Sequence, residues 1–242
     1  DRRVPSTDAA DDRSGNEGPG SLSVAPPNGS ASPGSLAPLP ARPAELDDLA
    51  PADIDEIDAE VRTLLLAHED WIEAETLSDD ERTERLDAYF ESYCRLGERL
   101  ARFDPHDPEA DRILGIVDGT LAGRLDDAKL RAFLANRTER KLDDSTAVDG
   151  SPGIALVGTV AAIEPGSPFR TVVMRLGSGN GGTVRIAAWA PLPGALQPGA
   201  TAVVLGRIDT PDRFGWDPTT ARGAAILGGF VLVLDPASGG AR

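Results

Sequence analysis

A change of pattern at residue 151 decides the fold: from there to residue 163 the chain reads SPGIALVGTVAAI. Ser151-Pro152-Gly153 breaks any preceding helix, and a run rich in apolar and β-branched residues follows at once. Further runs of strand composition lie downstream between turn residues: Arg170 to Leu176, Thr183 to Trp189, Thr201 to Ile208 and Ala224 to Leu234. Gly158 in the first run and Gly228-Gly229 in the last mark the bends or bulges that barrel closure requires. The chain after residue 151 therefore predicts a small five-stranded barrel.

The order of the runs narrows the choice of barrel. Three strands come first, the segment PLPGALQPG at residues 191–199 interrupts them, and two strands follow. This order resembles the OB fold, and the phrases VGTV at 157–160 and QPG before VVLGR at 203–207 resemble parts of many such domains. The family often has a helix at the interruption, whereas this segment is short and proline-rich. An SH3-like barrel and a short β-sandwich are the alternatives.

The OB resemblance implies a ligand site across strands two and three and in the loops at one rim. Strand alternation turns the apolar side chains inward and leaves arginines and a tryptophan outside. Arginine next to a flat aromatic ring is suited to stacking bases or sugars and holding phosphates. The candidate ligand-binding residues lie on these two strands and in the last loop, residues 209–223: Arg175, Arg185, Trp189, Arg213, Phe214, Trp216 and Arg222.

Before residue 151 the apolar residues follow a helical period. From Ile54 to Trp71, and again from Leu86 to Phe103, they recur at alternating steps of three and four, which is the heptad spacing. Ser78 and Glu81, between the runs, form a capping-box pattern. The pattern predicts two helices packed as an antiparallel hairpin with coiled-coil-like contacts.

Two shorter helices are expected after the hairpin. Asp107-Pro108 is placed to open the first and Gly123 to end it, and the second runs from about Asp126 to Lys141. The predicted fold class is α+β. The predicted divisions are a disordered spacer at 1–43, an acidic helical domain at 44–142, a linker at 143–152, the barrel at 153–236 and a disordered tail at 237–242.

Charge is distributed unevenly along the chain. The 242 residues include 40 acidic and 24 basic side chains, a net charge of -16. Residues 44–150 carry 30 acidic and 13 basic side chains, whereas residues 151–242 carry 5 and 7. This excludes a uniformly basic nucleic-acid coat. The helical region should repel nucleic acid and favour a basic partner, so any anionic ligand must approach the barrel from the other side.

The N-terminal stretch predicts a spacer. Residues 1–43 contain 8 Pro, 5 Gly and 7 Ser and no aromatic residue, too little apolar surface to offset the ordering of the backbone. The chain opens at Asp1 rather than methionine, which fits either a trimmed fragment or a protein that has lost a signal or an anchor. An exported or membrane-tethered protein is slightly favoured over a cytoplasmic one. No apolar run approaches the ~20 residues that would cross a bilayer.

Catalytic and metal-binding patterns are weak. His68 lies in the heptad seam and is expected to be a core histidine with a hydrogen-bonded ring. Cys94, the only cysteine, is expected to be a half-buried inert thiol and excludes an internal disulfide. The acids around His106 lack the spacing of a calcium loop and are expected to cap a helix. We predict no catalytic residue, no metal and no cofactor.

The sequence therefore predicts a non-catalytic protein-interaction or assembly module, which its spacer could tether, with another protein or a second copy bound by the helices. The alternative is an OB-like barrel that binds single-stranded nucleic acid or an oligosaccharide. A metal-assisted hydrolase that uses the acids near His106 is a remote third option.

Overall fold

A computed structural model describes residues 42–144, 152–166, 168–177, 182–189, 192–217 and 225–236. The predicted tail, nearly all of the predicted spacer and most of the predicted linker lie outside these residues. The class is α+β, as the sequence predicts, with the helices first and the strands last. The described part belongs to one compact unit, Pro38–Arg242.

The described chain contains the four predicted α-helices: α1 (Ile54–Glu73), α2 (Asp79–Arg102), α3 (Ala110–Leu125) and α4 (Ala128–Asp144). Helices α1 and α2 pack against each other along the predicted seam, where Ile57, Leu64 and Tyr93 are fully buried. The capping box at the start of α2 is present, and the Ser78 amide donates to the Glu81 carboxylate at 3.4 Å. The heptad spacing is thus satisfied within one chain.

Helix α3 differs from its predicted bounds. Asp107 lies in the turn before the helix, where its carboxylate accepts the Glu109 amide at 2.8 Å. The prediction that Gly123 ends the helix is wrong, because α3 continues to Leu125, whose side chain is fully buried. Burying a leucine contributes roughly 1.5–3 kcal/mol, which exceeds the helix penalty of about 1 kcal/mol for one glycine.

The described strands match the predicted runs within about a residue at most ends. They are β1 (Gly153–Glu164), β2 (Arg170–Leu176), β3 (Thr183–Ala188), β4 (Thr201–Asp209) and β5 (Ala225–Asp235). They close into a barrel in the order β1-β2-β3-β5-β4, with β3 and β5 parallel and the other pairs antiparallel. Met174 and Ile186 point into the barrel core, which confirms the predicted alternation.

The predicted bulge in the last strand is confirmed. The pairing of β4 with β5 shifts between Leu205, opposite Phe230, and Gly206, opposite Gly228, so that Gly229 is the extra residue. Gly158 is not at the register shift in β1, which falls between Val160 and Ala162. A further shift in the β4–β5 pairing falls between Thr201 and Ala202. A bulge bends its strand locally, and these irregularities lie on strands that must curve to close the barrel.

Helix α2 lies directly on the outer surface of β1, β4 and β5. Glycines allow this approach, since a Cβ on Gly97 would lie 2.6 Å from the Ile154 carbonyl oxygen. A Cβ on Gly229 would lie 2.1 Å from the Leu100 carbonyl carbon. Apolar side chains of the helices and of the outer strand faces form one continuous buried cluster. The helical region and the barrel therefore share a core, although the sequence predicts them as separate domains.

Within the described ranges, we find no helix with the length and apolar character needed to cross a membrane. The same ranges hold no group of three or more His, Cys, Asp or Glu side chains that could hold a metal ion.

Candidate functional site

A cleft of about 460 Å³ opens at one rim of the barrel. Its walls come from the β1–β2 loop, the outer face of β2 and β3, and the segment that follows β4. We call it the loop cleft and define it by six of its lining residues: Glu164, Phe169, Arg185, Arg213, Phe214 and Trp216. Proteins bind small molecules and short segments in concave sites of this size.

Aromatic rings form one wall of the loop cleft. The rings of Phe169 and Phe214 meet edge to face with centroids 5.1 Å apart, and Phe214 and Trp216 lie at the same separation. Such pairs stabilise the arrangement by about 0.5–1.5 kcal/mol beyond their buried area. Because Phe169 precedes β2 and the other two rings follow β4, these contacts connect the two loops.

Arg185 lies across the cleft floor. Its guanidinium lies 4.9 Å above the centroid of the Trp216 ring and donates to the Glu164 carboxylate at 2.6 Å. One face of the indole and the charge of this arginine are therefore already engaged by other groups of the barrel.

Arg213 connects the cleft to the N-terminal end of the described chain. Its two terminal nitrogens donate to the two Asp48 carboxylate oxygens at 2.6 and 2.8 Å, and its Nε lies 2.9 Å from Asp209. A further hydrogen bond reaches the Glu45 carbonyl. These hydrogen bonds lower the pKa of Asp48 to about 2 and raise the pKa of Arg213. Arg213 thus holds residues 42–49, which we call the N-terminal strap, against the barrel.

The structure corrects the prediction for Trp189. Its ring does lie outside the barrel interior, but it is only 4% exposed because the strap residues Leu46 and Leu49 pack over it. The Arg42 guanidinium stands 5.8 Å from the ring centroid and donates to the Leu49 carbonyl at 2.8 Å. Trp189 therefore offers no free ring in this structure, so the expectation that its ring is exposed is wrong, while its role in binding stays a prediction.

The remaining predicted residues separate into two groups. Arg185, Arg213, Phe214 and Trp216 come together in the loop cleft. Arg175 is exposed on β2, opposite Thr183, and does not line the cleft. Arg222 lies outside the described residues.

Sequence reasoning missed Glu164, Phe169 and the strap. Phe169 follows a Pro-Gly-Ser-Pro turn that joins the first two strands, so the turn itself was a usable sign of a rim residue. In the strap, Leu46 and Leu49 alternate with acidic residues. This short apolar repeat falls within the predicted helical domain, so the sequence does not mark it as part of a site on the barrel. No local sequence feature marks Glu164 as a cleft residue, because its partner Arg185 is on another strand.

His68, His106 and Cys94 all lie in the helical region. The Nδ1 atom of His68 lies 2.8 Å from the Tyr89 hydroxyl, which confirms the predicted hydrogen-bonded ring, but the side chain is half-buried rather than in the core. Asp104 accepts the His106 amide at 2.9 Å, as expected for a capping cluster. Cys94 is fully buried rather than half-buried, and burial raises its pKa to about 12.

No family model matches the chain, and no curated protein matches it. Among solved structures it is similar to the asparaginyl-tRNA synthetase from Pyrococcus horikoshii complexed with asparaginyl-adenylate, with 16% identity and a TM-score of 0.28. That match covers 36% of this chain and 20% of the synthetase chain. A likeness this weak carries no argument about fold or function.

Proposed function

We propose that this chain is a non-catalytic protein-interaction module and that an extended segment of a partner protein occupies the loop cleft. The observation that carries the proposal is the cleft itself, a concave surface with an aromatic wall in which both arginines are already paired with acids. Aromatic residues and arginine are enriched where protein partners bind tightly, and paired charges at the rim favour specificity over strong attraction of any anion.

We also propose that the barrel has the OB fold. The strand order, with β3 beside β5 in parallel, supports this assignment. OB folds bind ligands on strands two and three and through the loops after strands one and four. The loop cleft is formed by the same elements, so the assignment and the proposed site support each other.

Binding of single-stranded nucleic acid or an oligosaccharide is the second candidate. The stacking of Arg185 on Trp216 in an OB-like site favours it. Against it, Glu164 neutralises Arg185, while Asp48 and Asp209 neutralise Arg213. Nucleic-acid modules depend on unneutralised basic groups that contact phosphates. The Trp216 ring also packs against Phe214, with ring centroids 5.1 Å apart, which leaves less of it free for a stacked base.

The experiment is a selection of displayed random peptides on the full chain, followed by affinity measurements on the selected peptides. We expect a shared motif whose affinity falls about tenfold or more for Trp216→Ala and for Arg185→Ala. Arg175→Ala is the matched control, since it removes the same kind of side chain from the neighbouring strand outside the cleft.

Two results would contradict the proposal. The first is a set of selected peptides that bind the Trp216→Ala and Arg185→Ala variants as well as the original chain. The second is tight binding of a single-stranded oligonucleotide at moderate salt that both variants abolish, which would establish the second candidate instead.

A further inference from the structure

A second cavity, of about 690 Å³, lies at the far end of the helices, where α1, α2, α3 and α4 come together. We call it the helix-end cavity. It has an apolar side and a cationic side, defined by six lining residues: Trp71, Ile72, Leu86, Arg124, Asp127 and Lys129. None of them belongs to the loop cleft.

The apolar side is incompletely covered. Ile72, near the end of α1, is 67% exposed although it is a large apolar side chain. Trp71 beside it packs one face on Phe133, with ring centroids 5.4 Å apart, and its indole nitrogen donates to Asp127 at 3.0 Å. The ring is thus held in a fixed orientation in the cavity wall, which reduces the entropy lost when a ligand binds.

Arg124 on α3 differs in its partners from three other arginines of the helices. Arg95, Arg99 and Arg137 each reach a carboxylate, at 3.1, 3.3 and 2.6 Å respectively. Among the described residues, no carboxylate lies within ion-pair distance of Arg124. Its terminal nitrogen donates to the Thr120 carbonyl of its own helix at 2.7 Å, and its buried Nε has no hydrogen-bond partner.

His68 of α1 lines the cavity together with Arg124. Burial, followed by the charge of Arg124, lowers the pKa of His68. The His68 ring therefore favours its neutral form beside this guanidinium, and its Nδ1 is engaged by the Tyr89 hydroxyl. A half-buried guanidinium interacts with an anion more strongly than one in water does.

Asp127 is the one carboxylate in the cavity lining among the residues that the structure describes, and it is already engaged. Asp127 accepts from the Trp71 indole and from the Lys129 amide at 2.8 Å, as a helix cap. Arg82 is also engaged, by the carbonyls of Ala74 and Leu77 at 2.7 and 3.1 Å. Arg124 is therefore the arginine of this cavity that a ligand can pair with, and Lys129 adds a further positive charge to the same side.

We propose that the helix-end cavity binds a small amphipathic carboxylate, whose carboxylate group pairs with Arg124 while its apolar body lies against Trp71, Ile72 and Leu86. The guanidinium offers two parallel donors, the geometry that a carboxylate accepts. The volume is within the range of small-molecule sites, about 300–1,000 Å³. This site does not depend on the loop cleft or on the function proposed for it.

The test uses 3-phenylpropionate as the probe and its neutral amide, 3-phenylpropionamide, as the matched ligand control, titrated calorimetrically into the full chain. We expect the carboxylate to bind with a dissociation constant below about 1 mM. The amide should bind about tenfold or more weakly, because it cannot form the charge-assisted pair. Equal binding of the two probes, or no binding of the carboxylate in this range, would overturn the proposal.

Two variants locate the binding. Arg124→Gln should weaken 3-phenylpropionate about tenfold or more, whereas Arg112→Gln, which removes an exposed arginine from the same helix, should not. Ile72→Asp should repel the anion at the cavity mouth without a folding defect, since Ile72 is largely exposed. Leu66→Asp is its control, a 71% exposed leucine on the same helix that does not line the cavity. Unchanged binding in Ile72→Asp, or equal loss in Leu66→Asp, would reject this location.

Discussion

Arg213 and Asp48 are 165 residues apart in the chain and form a two-point hydrogen-bonded ion pair, with nitrogen–oxygen distances of 2.6 and 2.8 Å. This pair joins the segment between β4 and β5 to the N-terminal strap. The strap in turn buries Trp189, which follows β3 and belongs to the same apolar cluster as Phe169 of the loop cleft. A single side chain thus shapes the cleft and closes the neighbouring surface.

The first prediction concerns the strap. Arg213→Ala removes the ion pair with Asp48 and the hydrogen bond to the Glu45 carbonyl, so we expect the strap to detach and Trp189 to become exposed to water. In a background with Trp71 and Trp216 replaced by Phe, the emission of Trp189 should shift to longer wavelength and be quenched more readily by acrylamide. Arg175→Ala is the control and should leave the emission unchanged. A Trp189 that stays protected in Arg213→Ala would show that Leu46 and Leu49 suffice to hold the strap.

The second prediction is a pH dependence that arises from His68. Its pKa in the folded chain is lower than the usual 6.5, chiefly because of burial. The unfolded chain therefore binds a proton near pH 6.5, while the folded chain binds it only at lower pH. The stabilisation is complete above pH 6.5 and is lost as the pH falls below that value.

Urea unfolding at pH 7.5, 6.5 and 5.5 checks this dependence. The free energy of unfolding should fall toward pH 5.5 in the original chain and fall less in His68→Gln. Hydrogen bonding to the Trp71 indole lowers the pKa of Asp127 from its ordinary value of 3.8, so this carboxyl acts below the window of the experiment. His106→Gln is the control, because His106 is exposed. An identical pH dependence in the chain and in His68→Gln would contradict the assignment.

The third prediction concerns the reactivity of Cys94. Its side chain is fully buried where α2 packs on the barrel, and burial raises its pKa to about 12. Only the thiolate attacks disulfide reagents, so the folded chain should react with Ellman's reagent far more slowly than the chain in urea. In the folded state, the rate of the Cys94 reaction should depend on how often the structure opens to expose the thiol, and much less on the pH of the buffer. Fast reaction of the folded chain at pH 8 would show that the helix-to-barrel contact opens readily.

The strands, the barrel interior and the four helices could be predicted because each rests on a local period in the sequence. The alternation of Val184 and Ile186 with Thr183 and Arg185, for example, places the two apolar residues in the core without reference to any other segment. Trp189 could not be assigned in this way, since the residues that bury it precede it by some 140 positions. The pairing of Arg185 with Glu164 likewise depends on strand register, which composition does not reveal.

The fourth prediction separates two kinds of glycine that a sequence cannot distinguish. Gly115 and Gly119 lie inside α3, and a Cβ on either would meet nothing within 4 Å. Replacing each by alanine should raise the free energy of unfolding by about 0.5–1 kcal/mol, because glycine loses more backbone freedom on folding.

Gly97 lies inside α2 and provides the contrast. A Cβ there would come within 2.6 Å of the Ile154 carbonyl oxygen and 2.8 Å of the Gly206 amide, both backbone atoms that cannot turn aside. Gly97→Ala should therefore lower the free energy of unfolding by about 1–3 kcal/mol or more, despite the better helix propensity of alanine. Thermal or urea unfolding of the three variants measures both effects. If Gly97→Ala were as stable as Gly119→Ala, α2 would not rest on the barrel as closely as described, and the shared core of helices and strands would have to be reconsidered.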